Sequence, residues 1–223
     1  MPAGVQLNND PPTIFVGYRP SILLSVDGEP VLSEVPNTNL KFVANTHWPL
    51  FFDAGVSTYY LAVGQQWLTA SSLDGQWSAT RKLPPDMSRV SQDKQWSALQ
   101  KMITPPAKSA VTPDVFYSDK PAEVILFDGQ PVYTQIPDTQ LTYATNTSSV
   151  VFVFTPTQQF YYLTAGRWFR ANDLQGPWTY ATPDLPPDFA KIPLSSPASA
   201  ILVSVPGSDE AKDAVCWHRF QPR

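Results

Sequence analysis

Apolar residues along this chain come in short runs broken by proline, glycine and Asp-Gly pairs, a pattern of brief β-strands. Residues 21–26 (SILLSV) and 31–35 (VLSEV) flank Asp27-Gly28, and residues 122–127 and 132–136 flank Asp128-Gly129. An Asp-Gly pair between apolar runs supplies the positive φ of a tight turn, so both places are expected to be hairpins. Pro30 and Pro131 follow and lack an amide donor, which confines them to an edge or a strand entrance. Residues 40–44, 58–63 and 150–154 add strands rich in aromatic and β-branched side chains. The continuous apolar run Val150 to Phe154 predicts a strand covered on both faces. Gly64-x-x-Trp67, with Leu73-x-Gly75-x-Trp77 after it, reads as a further hairpin closed at glycine.

The same pattern occurs twice. At an offset of 101 residues, that between Pro12 and Pro113, Asp27-Gly28-x-Pro30-Val31 falls on Asp128-Gly129-x-Pro131-Val132, and Asn45-Thr46 on Asn146-Thr147. After a shift of one residue, Tyr59-Tyr60-Leu61 meets Tyr161-Tyr162-Leu163. Trp67, Ala70, Leu73, Gly75 and Trp77 then match Trp168, Ala171, Leu174, Gly176 and Trp178, and Leu83-Pro84-Pro85-Asp86 matches Leu185-Pro186-Pro187-Asp188. Internal repetition at this level makes the chain a tandem duplication. The expected fold is all-β: two copies of a small antiparallel β domain, residues 12–90 and 112–195, joined by a short helical connector over 91–111. One pseudo-symmetric barrel or propeller-like body made from both copies is the alternative.

In the connector, Ser91 is placed to cap, Asp93 sits at the positive end, and Trp96, Leu99 and Ile103 recur at helical spacing. Thr104-Pro105-Pro106 ends it. Residues 196–223 form a C-terminal extension, with Ser208, Asp209 and Glu210 opening a short helix through Ala214, and Cys216 to Phe220 have no counterpart in the first copy.

Composition narrows the functional classes. The net charge of −4 argues against a nucleic-acid partner, which needs a basic face. Hydrophobic residues at 43% against 15% charged describe a globular chain, and the 24 prolines disfavour helical bundles. The single cysteine rules out an internal disulfide and a cysteine-based zinc cluster. No apolar run is long enough to span a bilayer, and Met1 to Pro12 lacks the apolar core of a signal peptide.

The DG-P turn, the NT pair, the YYL strand, GRWFRANDLQGPW (residues 166–178) and LPPDFAKIP (residues 185–193) resemble a group of bacterial exported proteins. These are built from repeats of about a hundred residues and are loosely labelled carbohydrate-binding, family V/XII. The resemblance covers nearly the whole chain and implies a periplasmic or extracellular setting and a glycan or cell-envelope ligand. The first copy departs from the pattern at Gln76, where the second has Pro177.

Catalytic motifs are scarce. Only His47 and His218 could serve a triad, and neither has a nucleophile context. No metal-binding spacing and no phosphate-cradling loop occurs, so no metal and no cofactor is expected. A glycoside hydrolase needs only two carboxylates across a cleft. Candidates are Glu29, Glu34, Asp53 and Asp74, with Glu123, Asp138, Asp173 and Asp184 in the second copy. Aromatics are the other lead, because sugar rings stack on exposed aromatic planes while β cores use the same residues for packing. Trp67, Trp77, Trp168 and Trp178 recur in both copies and are expected in the core. Trp48 has Ser149 as its counterpart and stands between His47 and Pro49, so it is expected on the surface. Trp48, His47, Tyr60 and Tyr162 are the ligand-binding candidates. The reading is an extracytoplasmic module that binds a glycan or envelope component. A carboxylate-dependent glycoside hydrolase and a structural repeat of a larger surface protein are its alternatives.

Overall fold

The computed structural model describes residues 9–103 and 111–213. The chain is mostly β-sheet, with sixteen strands in four sheets among the described residues. The first repeat supplies β1 (Thr13–Gly17), β2 (Ser21–Ser25), β3 (Leu32–Glu34), β4 (Leu40–Val43), β5 (Leu50–Asp53), β6 (Thr58–Val63), β7 (Gln66–Ala70) and β8 (Ser78–Thr80). The second supplies β9 (Asp114–Ser118), β10 (Ala122–Leu126), β11 (Tyr133–Gln135), β12 (Leu141–Ala144), β13 (Val150–Phe154), β14 (Gln159–Thr164), β15 (Arg167–Ala171) and β16 (Thr179–Tyr180). β3 to β8 form one six-stranded antiparallel meander and β11 to β16 another, in the same strand order. The tandem duplication is therefore a duplication of structure.

The chain divides into two compact units, and these do not follow the repeat boundaries. Of the described residues, one unit takes those from Arg19 to Val124; the other joins those up to Tyr18 with those from Ile125 onward. The first strand of each repeat is the reason. β2 pairs with β9 in parallel, Ser21 opposite Asp114 and Ser25 opposite Ser118, so the second repeat's first strand lies in the first unit. β1 pairs with β10, and just past β10 the Phe127 amide donates to the Gly17 carbonyl at the end of β1, at 2.8 Å.

Within the Arg19–Val124 unit, alternation along the meander sends successive side chains to opposite faces. Leu50, Leu61, Leu68 and Trp77 face the β2–β9 ribbon, packing with Leu24 and Val26 and against Val115 and Tyr117. Phe51, Ala62 and Trp67 face a helical layer made by Met87, Val90 and Leu99. The other unit repeats both layers. Ile14, Val16, Ile125 and Phe127 cover Val151, Phe169 and Trp178, while Phe189, Ile201 and Leu202 cover Phe152 and Trp168. This sandwiching buries Val151, Phe152 and Val153 together, as the apolar run of that strand predicts. The four repeated tryptophans are all core residues: Trp67 and Trp168 are 0% exposed, Trp77 9% and Trp178 8%.

Several expectations are corrected. Asp27-Gly28 and Asp128-Gly129 do not close hairpins, because β2 and β3 belong to different sheets, as do β10 and β11. The positive φ is real, 78° at Gly28 and 77° at Gly129, but it serves a loop that carries the chain from the ribbon to the edge of the meander. Asn45 shapes that loop. Its Nδ2 donates to the Asp27 and Glu29 carbonyls, and its Oδ1 accepts from the Val31 amide, each at 2.8 Å. Asn146 makes the same three bonds to Asp128, Gln130 and Val132. Pro30 does precede an edge strand, β3.

The one-residue shift at the YYL segment is also absent. Tyr59 pairs with Ala70 and Phe160 with Ala171, so the repeat keeps its offset of 101 through β6 and β14. Tyr60 corresponds to Tyr161, and Leu61 to Tyr162. A slip of one residue would have turned each side chain to the wrong face of a sheet covered on both sides. The extra residue lies later: the Asp86 carboxylate accepts the Asn39 amide at 2.8 Å, and Asp188 accepts the Gln140 amide at 2.6 Å.

The connector is part of the first repeat's core. Residues Met87–Val90 form one helical turn, α1, and Lys94–Met102 a 3₁₀ segment. Asp93 is its cap, its side chain accepting from the Gln95 amide at 2.8 Å; Ser91 instead closes α1. Trp96, Leu99 and Met102 sit three apart, which suits three residues per turn and sets them on one stripe against the sheet. The matching 3₁₀ segment in the second repeat is Ser199–Ser204. Helical residues 209–213 follow, with the Ser208 hydroxyl accepting the Ala211 amide at 3.0 Å. Thr104 to Pro106, Ala214 and Cys216 to Phe220 lie outside the described residues.

Candidate functional site

Within the Arg19–Val124 unit, Trp48 and Tyr60 pack in different core clusters. Trp48 is half-buried, packs against the Leu24–Leu50 side of its sheet, and donates its indole N–H to the Leu23 carbonyl at 2.9 Å. It is a wedge between the meander and β2, a correction to its expected exposure. His47 beside it is exposed. Tyr60 packs on the opposite face of the meander, with the helical layer. Tyr162 is in the other unit and only 4% exposed, so it offers no surface.

A different constellation forms in the Arg19–Val124 unit. Tyr117 stands on β9 opposite Leu24 and, with Tyr59 of β6, borders the core cluster on the ribbon side of the meander. Both tyrosines are half-buried. Three loops bring carboxylates to this corner. The Gly28 amide donates to the Asp119 carbonyl at 3.1 Å, which ties the Asn45-held loop carrying Glu29 to the end of β9. Asp74 lies in the turn that the Trp77 indole fixes by donating to the Leu73 carbonyl at 3.1 Å. Burial pushes the Tyr117 hydroxyl above its ordinary value of 10, and the fields of Asp119, Glu29, Asp74 and Tyr59 push it further. Tyr59 rests against Phe52, ring centroids 4.6 Å apart, and burial raises its hydroxyl too.

The other unit has the same corner with different chemistry. At an offset of 101, Glu29 becomes Gln130, Asp74 becomes Gln175, Asp119 is matched by Tyr18, Tyr117 by Val16 and Tyr59 by Phe160. Tyr18 stacks on Phe127 at 6.0 Å, and the Gln175 amide donates to its hydroxyl at 3.5 Å. Three carboxylates and two tyrosine hydroxyls are thus replaced by two amides, one tyrosine and two apolar side chains. The two meanders keep the same strand order, and the two corners differ in side-chain chemistry.

Glu29 and Asp74 were candidates from sequence; Tyr117, Tyr59 and Asp119 were not. The charge-to-neutral changes at matched positions were visible in the internal alignment, but nothing in it placed three separate loops around one tyrosine. The remaining candidate carboxylates serve turns or stand apart. Asp53 accepts the Gly55 amide and Asp173 the Gln175 amide, while Asp138 sits at φ 59° in the turn before β12. Glu34 is on the edge strand β3, Glu123 on β10 and Asp184 in a 3₁₀ turn. Among the described residues no group of three or more His, Cys, Asp and Glu side chains is arranged to hold a metal ion, so Glu29, Asp74 and Asp119 surround Tyr117 without converging on one point. No helix is long and apolar enough to cross a membrane among the described residues. Comparison with family models, with curated proteins and with solved structures finds no match.

Proposed function

We propose that this chain is an extracytoplasmic binding module for a glycan, and that the Tyr117 corner is where the glycan is held. The observation that carries the reading is the pairing of two half-buried tyrosines with three carboxylates on separate loops, a chemistry the equivalent corner of the other unit lacks. Tyrosine offers an apolar plane to the C–H face of a sugar ring together with a hydroxyl at its rim. Carboxylates accept hydrogen bonds from sugar hydroxyls, and such charge-assisted bonds are the stronger kind. The resemblance to exported repeat proteins labelled carbohydrate-binding supports the same class of ligand and the same compartment.

Binding is favoured over hydrolysis for a physical reason. A glycosidase needs one carboxyl held protonated by a desolvated setting. Glu29 and Asp74 stand exposed on loops, outside any such desolvated setting. The test is titration of the protein with a panel of neutral and amino-sugar oligosaccharides, repeated with the double variant Glu29→Gln/Asp74→Asn. Binding should weaken roughly tenfold or more, as for lost charge-assisted bonds, with an unchanged melting temperature. The matched changes Gln130→Ala and Gln175→Ala should leave binding intact. Turnover of any glycoside, abolished by Glu29→Gln or Asp74→Asn, would replace this reading with the hydrolase.

A further inference from the structure

We infer that neither repeat can close its own fold, and that each repeat is the other's obligatory partner through exchange of its first strand. The argument is topological. β2 has a parallel partner, β9, aligned from Ser21 opposite Asp114 to Ser25 opposite Ser118. Within its own repeat, the candidate for that place is β1, which ends at Gly17, only residues 18–20 before β2 begins. Two strands can lie parallel and adjacent only if a crossover of a dozen or more residues carries the chain back to its starting end. A link of three residues cannot do so. The parallel place beside β2 is therefore closed to β1 and must be filled by a strand from another repeat.

The duplicated chain fills it reciprocally. The Val26 amide donates to the Ser118 carbonyl at 3.0 Å and the Gly28 amide to the Asp119 carbonyl at 3.1 Å. At an offset of 101 the Phe127 amide donates to the Gly17 carbonyl at 2.8 Å and the Gly129 amide to the Tyr18 carbonyl at 3.2 Å. The exchanged strands are core elements and not decoration: Ile14 and Val16 are buried in the cluster around Phe127 and Trp178, and Val115 packs in the cluster around Leu24. The links are alike as well, Tyr18-Arg19-Pro20 and Asp119-Lys120-Pro121, each ending in a proline that cannot donate back into the ribbon. Exchange of identical elements between subunits is a known route to dimers; here both subunits are on one chain, and each unit contains a strand of the other repeat.

Cutting the full-length chain tests this directly. A protease site is inserted before Val111, which is 69% exposed and lies outside any strand or helix. After cleavage, the two fragments should co-elute at the mass of the intact chain with an unchanged β-sheet circular dichroism spectrum. When isotopically labelled and unlabelled cleaved protein are mixed, fragments should fail to trade partners over hours, because separation requires pulling a strand from each core. Fragments that separate while keeping their β spectrum would overturn the inference, and so would partner exchange within minutes, the behaviour of domains that merely touch. A second measurement on the uncut chain stands even if cleavage unfolds the protein. Val16→Ala should lower amide-exchange protection within residues 125–178 and leave residues 21–80 unchanged. Loss of protection in residues 21–80 instead would mean that β1 belongs to its own repeat.

Discussion

The indole N–H of Trp168 donates to the carbonyl of Ser204 at 2.8 Å, joining β15 to the last residue of the 3₁₀ segment that covers it. Trp67 repeats the bond to Met102 at 3.0 Å, at the end of the equivalent segment. Each tryptophan is thus both a fully buried side chain of its core and the polar tie between sheet and helical layer. Trp168→Ala should destabilise its unit by about 3–5 kcal/mol, the range for large core truncations, and Trp67→Ala should do the same. Denaturant unfolding followed by far-ultraviolet circular dichroism checks both. A loss below about 1 kcal/mol would show that the helical layer is not held there.

Asn146 and Asn45 act as clamps on loops that hairpin chemistry alone does not close. Replacing Asn146 by Ala leaves the Asp128 and Gln130 carbonyls and the Val132 amide without their partner. The site is partly open to water, so the cost should be about 1–2 kcal/mol, near the lower end for an abandoned polar group. Asn146→Asp should be no better, because a carboxylate cannot donate to the two carbonyls. Thermal melts of the three proteins decide the point.

Asp188 couples stability to acid. Its carboxylate accepts from the Lys191 ammonium at 2.9 Å and from the Gln140 amide, and these bonds hold its pKa below the ordinary 3.8. Unfolding restores the ordinary value, so the unfolded chain binds the proton first. This contribution is complete above that value and is lost as pH falls through the lowered one. Melting temperatures measured from pH 6 down to about pH 2 should therefore drop less steeply in Asp188→Asn than in the parent. Identical slopes would remove Asp188 from the acid response.

Tyr133 couples stability to base. Its hydroxyl is buried without a hydrogen-bond partner, and burial followed by the nearby Tyr18 pushes its pKa up to about 12. Between the unfolded value of 10 and that raised value, the unfolded state loses the proton while the fold retains it, so stability declines as pH rises through this window. Tyr133→Phe deletes an unsatisfied polar group and should hold or raise the melting temperature at neutral pH. It should also flatten the decline at high pH. Melts at pH 7 and pH 11 test both parts.

Sequence alone marked many of the strands, though not β1 or β9, because alternation and turn chemistry act over a few residues. Val150 to Phe154 read as a doubly covered strand and is one; the matched tryptophans read as core and are buried. The duplication was legible for the same reason, since each copy must satisfy the same local rules. Tertiary structure decided what those strands join. Asp27-Gly28 carries a true turn signal, yet the signal specifies a φ angle and not which strands pair across it. The YYL match looked like a shifted register, and only a sheet buried on both faces fixes the register by forbidding a flip. Trp48 resembled a surface residue in its loop context, yet its indole N–H donates to the Leu23 carbonyl on a strand of the ribbon. The exchange of β1 and β9 and the placing of Glu29, Asp74 and Asp119 around Tyr117 depend on contacts between distant segments. Those contacts are chosen by which faces must be covered and by what a three-residue link can reach, and neither appears in any local pattern of residues.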